Sequence, residues 1–228
     1  MTPAERVDRL PLSRARVVGA ALRYVDHHGL EALSMRKLGA ELGVEAMSLY
    51  NHVASKDDLL DGVVDSVLAM IEIPDLSPQR DWRMQLRELA DSVRAVGLAH
   101  PEAFSLILRR PKATADSFEP MLALYQILKQ AGLDDQGAAI DAFYACAAYV
   151  LGYTVMETGI LSGPAAGGID IEDVPPQNQR LRQYLSLKSD HTTHGQFRLG
   201  FEVIIAGIER QVGGLSRTNT PERAFGSK

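Results

Sequence analysis

The chain has 228 residues, 46% of them hydrophobic and 23% charged, with a formal charge of −5. That balance excludes a disordered or collagen-like polymer and suits one large globular domain or two small ones. The longest uncharged run, Ala142 to Met156, has 15 residues and contains Gly152, too short for the ~20 apolar residues of a spanning helix.

Apolar residues recur at helical spacing along most of the chain and nowhere alternate with period two, so the expected fold is all-α. A first helix, about 13–28, carries the stripe Val18, Ala21, Leu22 and Val25 and closes at Gly29. Ser34 caps a short second helix, about 35–42, with Leu38 and Leu42 inward. Gly43 breaks the chain, and a third short helix runs from about Glu45 to His52. Ser55 with Asp58 three residues later opens a longer helix bearing Leu59, Leu60, Val63, Val64, Val67, Leu68 and Ile71. Pro74 and Pro78 punctuate the next stretch, where a domain boundary is expected near 73–79 with the fourth helix as connector. Helices then follow at about 82–99, briefly after Pro101, at 113–131 and at 136–158. Residues 161–179 read as a long loop, and a last helix spans about 193–212, ending at Gly213-Gly214. The expected division is a helix-turn-helix domain over 1–60, a larger helical domain over 61–212, and a disordered tail over 213–228.

Two short helices joined by Gly43-Val44-Glu45 have the form of a helix-turn-helix, whose second helix enters the DNA major groove. Its base-facing candidates are Ala46, Met47 and Ser48, followed one turn on by Tyr50, Asn51 and His52. Leu49 and Val53 would hold the helix to the core, while Arg36 and Lys56 begin neighbouring helices and can reach phosphates. Residues 1–60 hold eight Lys and Arg against eight Asp and Glu, leaving the net negative charge to the rest of the chain. An anionic partner would therefore prefer this first segment, and Arg14, Arg16, Arg23, Arg36, Lys37 and Lys56 could form its cationic face.

Ser34-Met35-Arg36-Lys37-Leu38-Gly39, Leu42-Gly43-Val44, Ser48-Leu49-Tyr50-Asn51-His52-Val53 and Lys56-Asp57-Asp58-Leu59-Leu60 together resemble the DNA-binding domain of the tetracycline-repressor (TetR) family. Asp81-Trp82, His100-Pro101, Lys129 to Leu133 and Leu151-Gly152 are similar to the ligand-binding half of the same subgroup. The resemblance implies an all-helical homodimer that represses transcription and leaves DNA when a small molecule binds. It places base reading on Arg36, Ala46, Met47 and Ser48, and backbone contact on Tyr50, His52 and Lys56. Asn51 and Ala46 depart from the tryptophan and glutamine of the tetracycline repressors, so the operator sequence is not inherited from them.

The larger domain offers Trp82, Leu86, Leu89, Val93, His100, Phe104, Leu106, Tyr125, Phe143, Tyr144, Tyr149, Tyr153 and Met156 as ligand-lining candidates, the tyrosines supplying polar groups in an apolar wall. His100, before Pro101, reads first as a structural helix cap and second as a ligand-sensing group. The drug- and metal-contacting positions of the tetracycline repressors fall near Glu72, Leu89, Leu106, Ala148 and Met156. Four of these five lack the oxygen ligands magnesium needs, so a hydrophobic or aromatic effector is expected and no metal or cofactor. Ala145, Ala148 and Gly152, small residues in the 136–158 helix, and Phe197, Phe201, Ile204, Ile205 and Ile208 in the last helix are expected at a homodimer interface.

No hydrolase, zinc-protease or nucleotide-binding motif is present, so an enzyme is not expected, and His191 and His194 lack a third ligand. The alternative is a helical small-molecule-binding protein without specific DNA binding. Charges at Glu5, Arg6, Asp8 and Arg9 leave no secretory core, and the single Cys146 forms no internal disulfide, so a cytoplasmic location is expected.

Overall fold

In the computed structural model of the chain, the described residues are 11–110, 115–133, 135–159, 172, 174–189 and 193–218. Among them every regular element is helical. In chain order these are α1 (Arg14–His28), α2 (Met35–Leu42), α3 (Ala46–Leu49), α4 (Lys56–Leu68), α5 (Trp82–Ala99), α6 (Pro101–Ser105), α7 (Glu119–Gln130), α8 (Gln136–Glu157), α9 (Gln179–Ser189) and α10 (Thr193–Thr218).

Local chemistry sets the first boundaries. The hydroxyls of Ser13, Ser34 and Ser55 accept from the backbone N–H groups of Arg16, Lys37 and Asp58 at 3.2, 3.3 and 3.0 Å, satisfying donors that a helix start leaves open. Gly29 closes α1 by donating its N–H to Val25 O at 2.8 Å. Gly43 closes α2 at φ 67°, a left-handed turn that favours glycine.

Two compact units result. The first comprises the described residues up to Met70 together with Ala99–Phe118. In it α1 packs on α2, α4 and α6, α2 packs on α3, and α4 also meets α6 and the 3-10 turn Ala115–Phe118. Val17, Ala20, Ala21, Val25, Leu38, Leu49, Leu59, Val63 and Val67 form its fully buried centre. The stripes anticipated on α1 and α4 are all buried, Ile71 included. Gly39 permits the α2–α3 contact, since a Cβ there would sit 2.9 Å from Val44 O and 3.2 Å from Ala46 N.

The second unit comprises Ile71–Leu98 and the described residues from Glu119 onward. Here α8 packs on α7 and α10 around Ile127, Leu128, Ala139, Cys146, Val150, Phe197, Phe201 and Ile205. Burial pushes the Cys146 thiol up to about 12, so the sulfur behaves as a small apolar filler. The loop before α5 is braced by amides. Gln85 Nε2 donates to Asp75 O and Ser77 O at 3.0 and 3.1 Å, and Gln130 Nε2 to Leu76 O at 2.7 Å.

Several expected boundaries differ. Packing assigns α4 to the first unit and returns 99–118 to it, so the units are not the contiguous stretches 1–60 and 61–212. The helix expected over 113–131 begins at Glu119 because Pro120 lacks an N–H and fits only a first turn. The third helix stops at Leu49, with 50–52 in turns. Helix α9, which lacks a strong apolar stripe, was not anticipated. Helix α10 runs on through Gly213-Gly214 to Thr218, since no left-handed turn forms there, which corrects the disordered tail expected from residue 213. Residues 219–228, His191 and most of the 161–179 loop lie outside the described residues.

Candidate nucleic-acid interface and helical ligand-binding unit

Helix α3 is a single turn fixed by Leu49, which is wholly buried, and by Val53 just beyond it. With Leu49 inward, Met47 stands outward at 74% exposure, while Ala46 and Ser48 on its flanks are half-buried. Tyr50 and Asn51 follow as exposed side chains in the turn, with His52 half-buried. Arg36 is exposed on the first turn of α2. Thus Met47, Tyr50 and Asn51 are exposed at and just beyond α3, and Arg36 is exposed on α2.

The cations are less available than their number implies. Lys56 Nζ donates to Leu33 O at 2.7 Å, and Lys37 Nζ to Ala32 O at 3.1 Å. Arg14 grips Asp58 through two guanidinium nitrogens, both at 2.7 Å, and donates to His52 O at 3.4 Å. Asp58 also accepts from Ala54 N–H at 2.7 Å. The Arg14 guanidinium and the Ala54 amide hold the Asp58 carboxyl down at about 2. This fork ties α1 to the turn that follows α3. The role of Asp58 in it was missed, because a residue at a helix start reads in sequence as a dipole partner of its own helix.

The described residues of 99–118 belong to the first unit, while Leu98 before them and Glu119 after them belong to the second. His100 occupies the residue before α6 without a side-chain cap bond, and its Nδ1 lies 2.9 Å from Asp26 Oδ2 on α1. Arg110 pairs with Asp57 and with Asp61 on α4, the latter at 2.5 Å, and Ser117 Oγ donates to Asp65 at 2.8 Å. Phe104 and Leu106, ligand candidates in the sequence, pack into the first unit's core at 1% and 3% exposure.

In the second unit Leu86 and Leu89 are core, Trp82 and Val93 are half-buried, and Arg83 lies over the Trp82 ring at 4.7 Å. Tyr149 and Tyr153 form an aromatic cluster with Phe197 and Phe201, with centroids 5.5–6.2 Å apart. Tyr149 OH donates to Phe197 O at 3.0 Å, and burial pushes both tyrosine hydroxyls above their ordinary range. Beside the cluster Arg94 is paired with Glu157 in two contacts, one at 2.8 Å, and both side chains are nearly buried. Tyr125, Tyr144 and Met156 instead point to solvent, and Phe143 packs edge-on against Tyr144. A cavity of about 230 Å³ lies between α5 and α10 over Phe197 and Phe201. Its rim carries the ion pairs Arg87–Glu202 and Arg198–Asp91, both at 2.8 Å. It is smaller and more charged than a drug-sized pocket.

The expected dimer residues divide. Phe197, Phe201, Ile205 and Ile208 are 1–3% exposed within one subunit, which corrects their placement at a subunit interface, and Ile204 is half-buried. The outer faces instead show Ile140, Tyr144, Ala145 and Ala148 on α8, and Leu199 and Val203 on α10. Nothing lies within 4 Å of where a Gly152 Cβ would be. By length and composition Gly137–Glu157 of α8 could cross a membrane, with 33% of its most apolar window buried. Among the described residues no three His, Cys, Asp or Glu side chains form a metal-sized group.

A helix-turn-helix unit joined to a separate helical bundle defines a helix-turn-helix transcription regulator. Residues 17–63 match the family model described as bacterial regulatory proteins, tetR family, and residues 73–212 that of the tetracyclin repressor-like C-terminal domain. The chain belongs to the TetR family. It is 33% identical over 147 residues to an HTH-type transcriptional regulator of Saccharopolyspora erythraea, covering 64% of this chain and 61% of that one. It is 34% identical over 141 residues to the HTH-type transcriptional repressor DrrR1 of Streptomyces coeruleorubidus, covering 62% and 52%. The match thus spans little more than half the length of these relatives. The solved structure of the TetR family protein ActR of Streptomyces coelicolor, in complex with actinorhodin, superposes with a TM-score of 0.74 at 30% identity, covering 90% of this chain and all of that one.

Proposed function

We propose that this chain is a homodimeric, ligand-responsive repressor, holding a palindromic operator through α3 and releasing it when a largely apolar small molecule binds the second unit. Membership of the family and the outward presentation of Met47, Tyr50 and Asn51 support the DNA contact. The operator pairs two recognition helices one DNA turn apart, ~34–36 Å. The partner subunit covers Ile140 and Tyr144 of α8 and Leu199 and Val203 of α10, exposed apolar side chains on two helices that pack together. That role also explains why a helix as apolar as α8 is left so exposed in one subunit, in a protein of the cytoplasm.

The observation that carries the regulatory half of the reading is the path of residues 99–118. Both ends of this segment are covalently continuous with the ligand-binding unit, while its His100, Arg110 and Ser117 are bonded to α1 and α4 of the DNA-binding unit. A ligand that favours a different setting of α5 or α7 therefore pulls on α6 and hence on α4. Only differential affinity for the two settings can drive release, and a swing from mostly bound to mostly released needs ~10⁴-fold preference.

The test is binding of the full chain to the intergenic DNA flanking its own gene, against a shuffled fragment, near physiological salt, followed by displacement with a panel of apolar and aromatic compounds. The expected result is a salt-dependent preference of ~10³-fold or more for the native fragment, lost on addition of one compound class. Weak and equal binding to both fragments, with compounds still bound, would favour a small-molecule-binding protein without specific DNA contacts.

A further inference from the structure

The base-facing end of α3 has very little hydrogen-bonding capacity. Ala46 has none in its side chain, Met47 only a weakly accepting thioether, and Ser48 one hydroxyl. Leu49 is wholly buried, and at ~100° per residue Met47 lies ~200° around the helix from it, so its thioether points straight out of the domain. At 74% exposure Met47 is the most exposed large apolar side chain among the described residues. The neighbouring cations are drawn inward, Lys37 to Ala32 O, Lys56 to Leu33 O and Arg14 to Asp58. Of the cationic candidates Arg36 stays exposed on the first turn of α2, so guanine reading falls to it rather than to the side chains of α3.

The four base pairs present different donors and acceptors in the major groove, and the one apolar feature among them is the C5 methyl of thymine. A thioether pressed on any other base edge strips water from polar atoms and returns at most a weak hydrogen bond. We infer that Met47 selects thymine by packing on its C5 methyl, so that each operator half-site carries a thymine beneath it. The inference rests on the operator-binding function proposed above and specifies what that interface recognises.

The full chain is first used to select its operator from a random duplex pool, and each thymine of that operator is then replaced singly by deoxyuridine, which removes only the methyl. One position per half-site is expected to lose affinity about fourfold, the worth of one methyl group taken out of water. Unmodified cytosine at that position loses more than 5-methylcytosine does. Met47→Ser, a surface change that leaves the core intact, abolishes the distinction between thymine and deoxyuridine there, and Met47→Leu preserves it. A selected operator indifferent to deoxyuridine at every thymine overturns the inference and leaves operator binding standing, as does a Met47→Ser variant that keeps the wild-type sensitivity. A pool that yields no preferred sequence overturns operator binding and the inference with it.

Discussion

Replacing Gly39 by alanine tests how the recognition helix is held. The added Cβ would lie 2.9 Å from Val44 O, 3.2 Å from Ala46 N and 3.3 Å from Ala46 Cα. All three are backbone atoms of the turn and of α3, so no side chain can swing aside to relieve the contact. Alanine gains ~1 kcal/mol over glycine inside a helix, whereas overpacking a tight contact costs ~1–3 kcal/mol. The net expectation is a loss of ~0–2 kcal/mol in stability. The larger effect falls on DNA, because α3 moves away from α2 by a few tenths of an ångström or more while its base contacts depend on register. Operator affinity is expected to fall at least fourfold, the worth of one lost methyl contact. Gly19→Ala on α1 is the control. Its Cβ meets only the flexible end of Arg23 at 3.6 Å, so ~0.5–1 kcal/mol of added stability and unchanged affinity are expected. Urea unfolding and fluorescence anisotropy on the operator read the two effects separately. If Gly39→Ala proved as stabilising as Gly19→Ala and bound DNA as wild type does, the close approach of α2 and α3 would not be what positions the recognition helix.

The Arg14–Asp58 fork gives the first unit an acid-sensitive contribution. The Asp58 carboxyl is lowered from 3.8 to about 2, so its stabilisation is complete above pH ~4 and fades as the pH falls toward 2, when the folded carboxyl takes up its proton. Partial exposure of both partners reduces the worth to ~1 kcal/mol. The stability difference between wild type and Asp58→Asn should therefore shrink by that amount between pH 5 and 2 in urea titrations, and a difference independent of pH would count against the fork. At the subunit contact, Leu199→Glu with Val203→Glu should produce folded monomers in sedimentation velocity with weakened operator binding. Phe201→Ala, by contrast, should lower the stability of the subunit itself by ~3–5 kcal/mol. A double glutamate variant that sediments as a tight dimer would place the interface elsewhere.

The sequence by itself determined what depends on near neighbours. Ser13, Ser34 and Ser55 as helix starts, Gly43 as the left-handed stop and Leu49 and Val53 as anchors were legible because a cap or a stripe is set within one or two turns. The helix-turn-helix and its outward residues follow from the same short-range rules. Tertiary structure alone decided which apolar face of α10 is internal, since Phe197, Phe201 and Ile205 on one side and Leu199 and Val203 on the other are equally greasy, and only the position of α8 chooses between them. It also joined Arg14 to Asp58 and Arg110 to Asp61, 44 and 49 residues apart, and turned Lys37 and Lys56 toward backbone carbonyls. The return of 99–118 to the first unit belongs in the same class. Helical periodicity shows that a face is buried but carries no information on what buries it, and charge pairing over such separations is fixed only once the helices have packed.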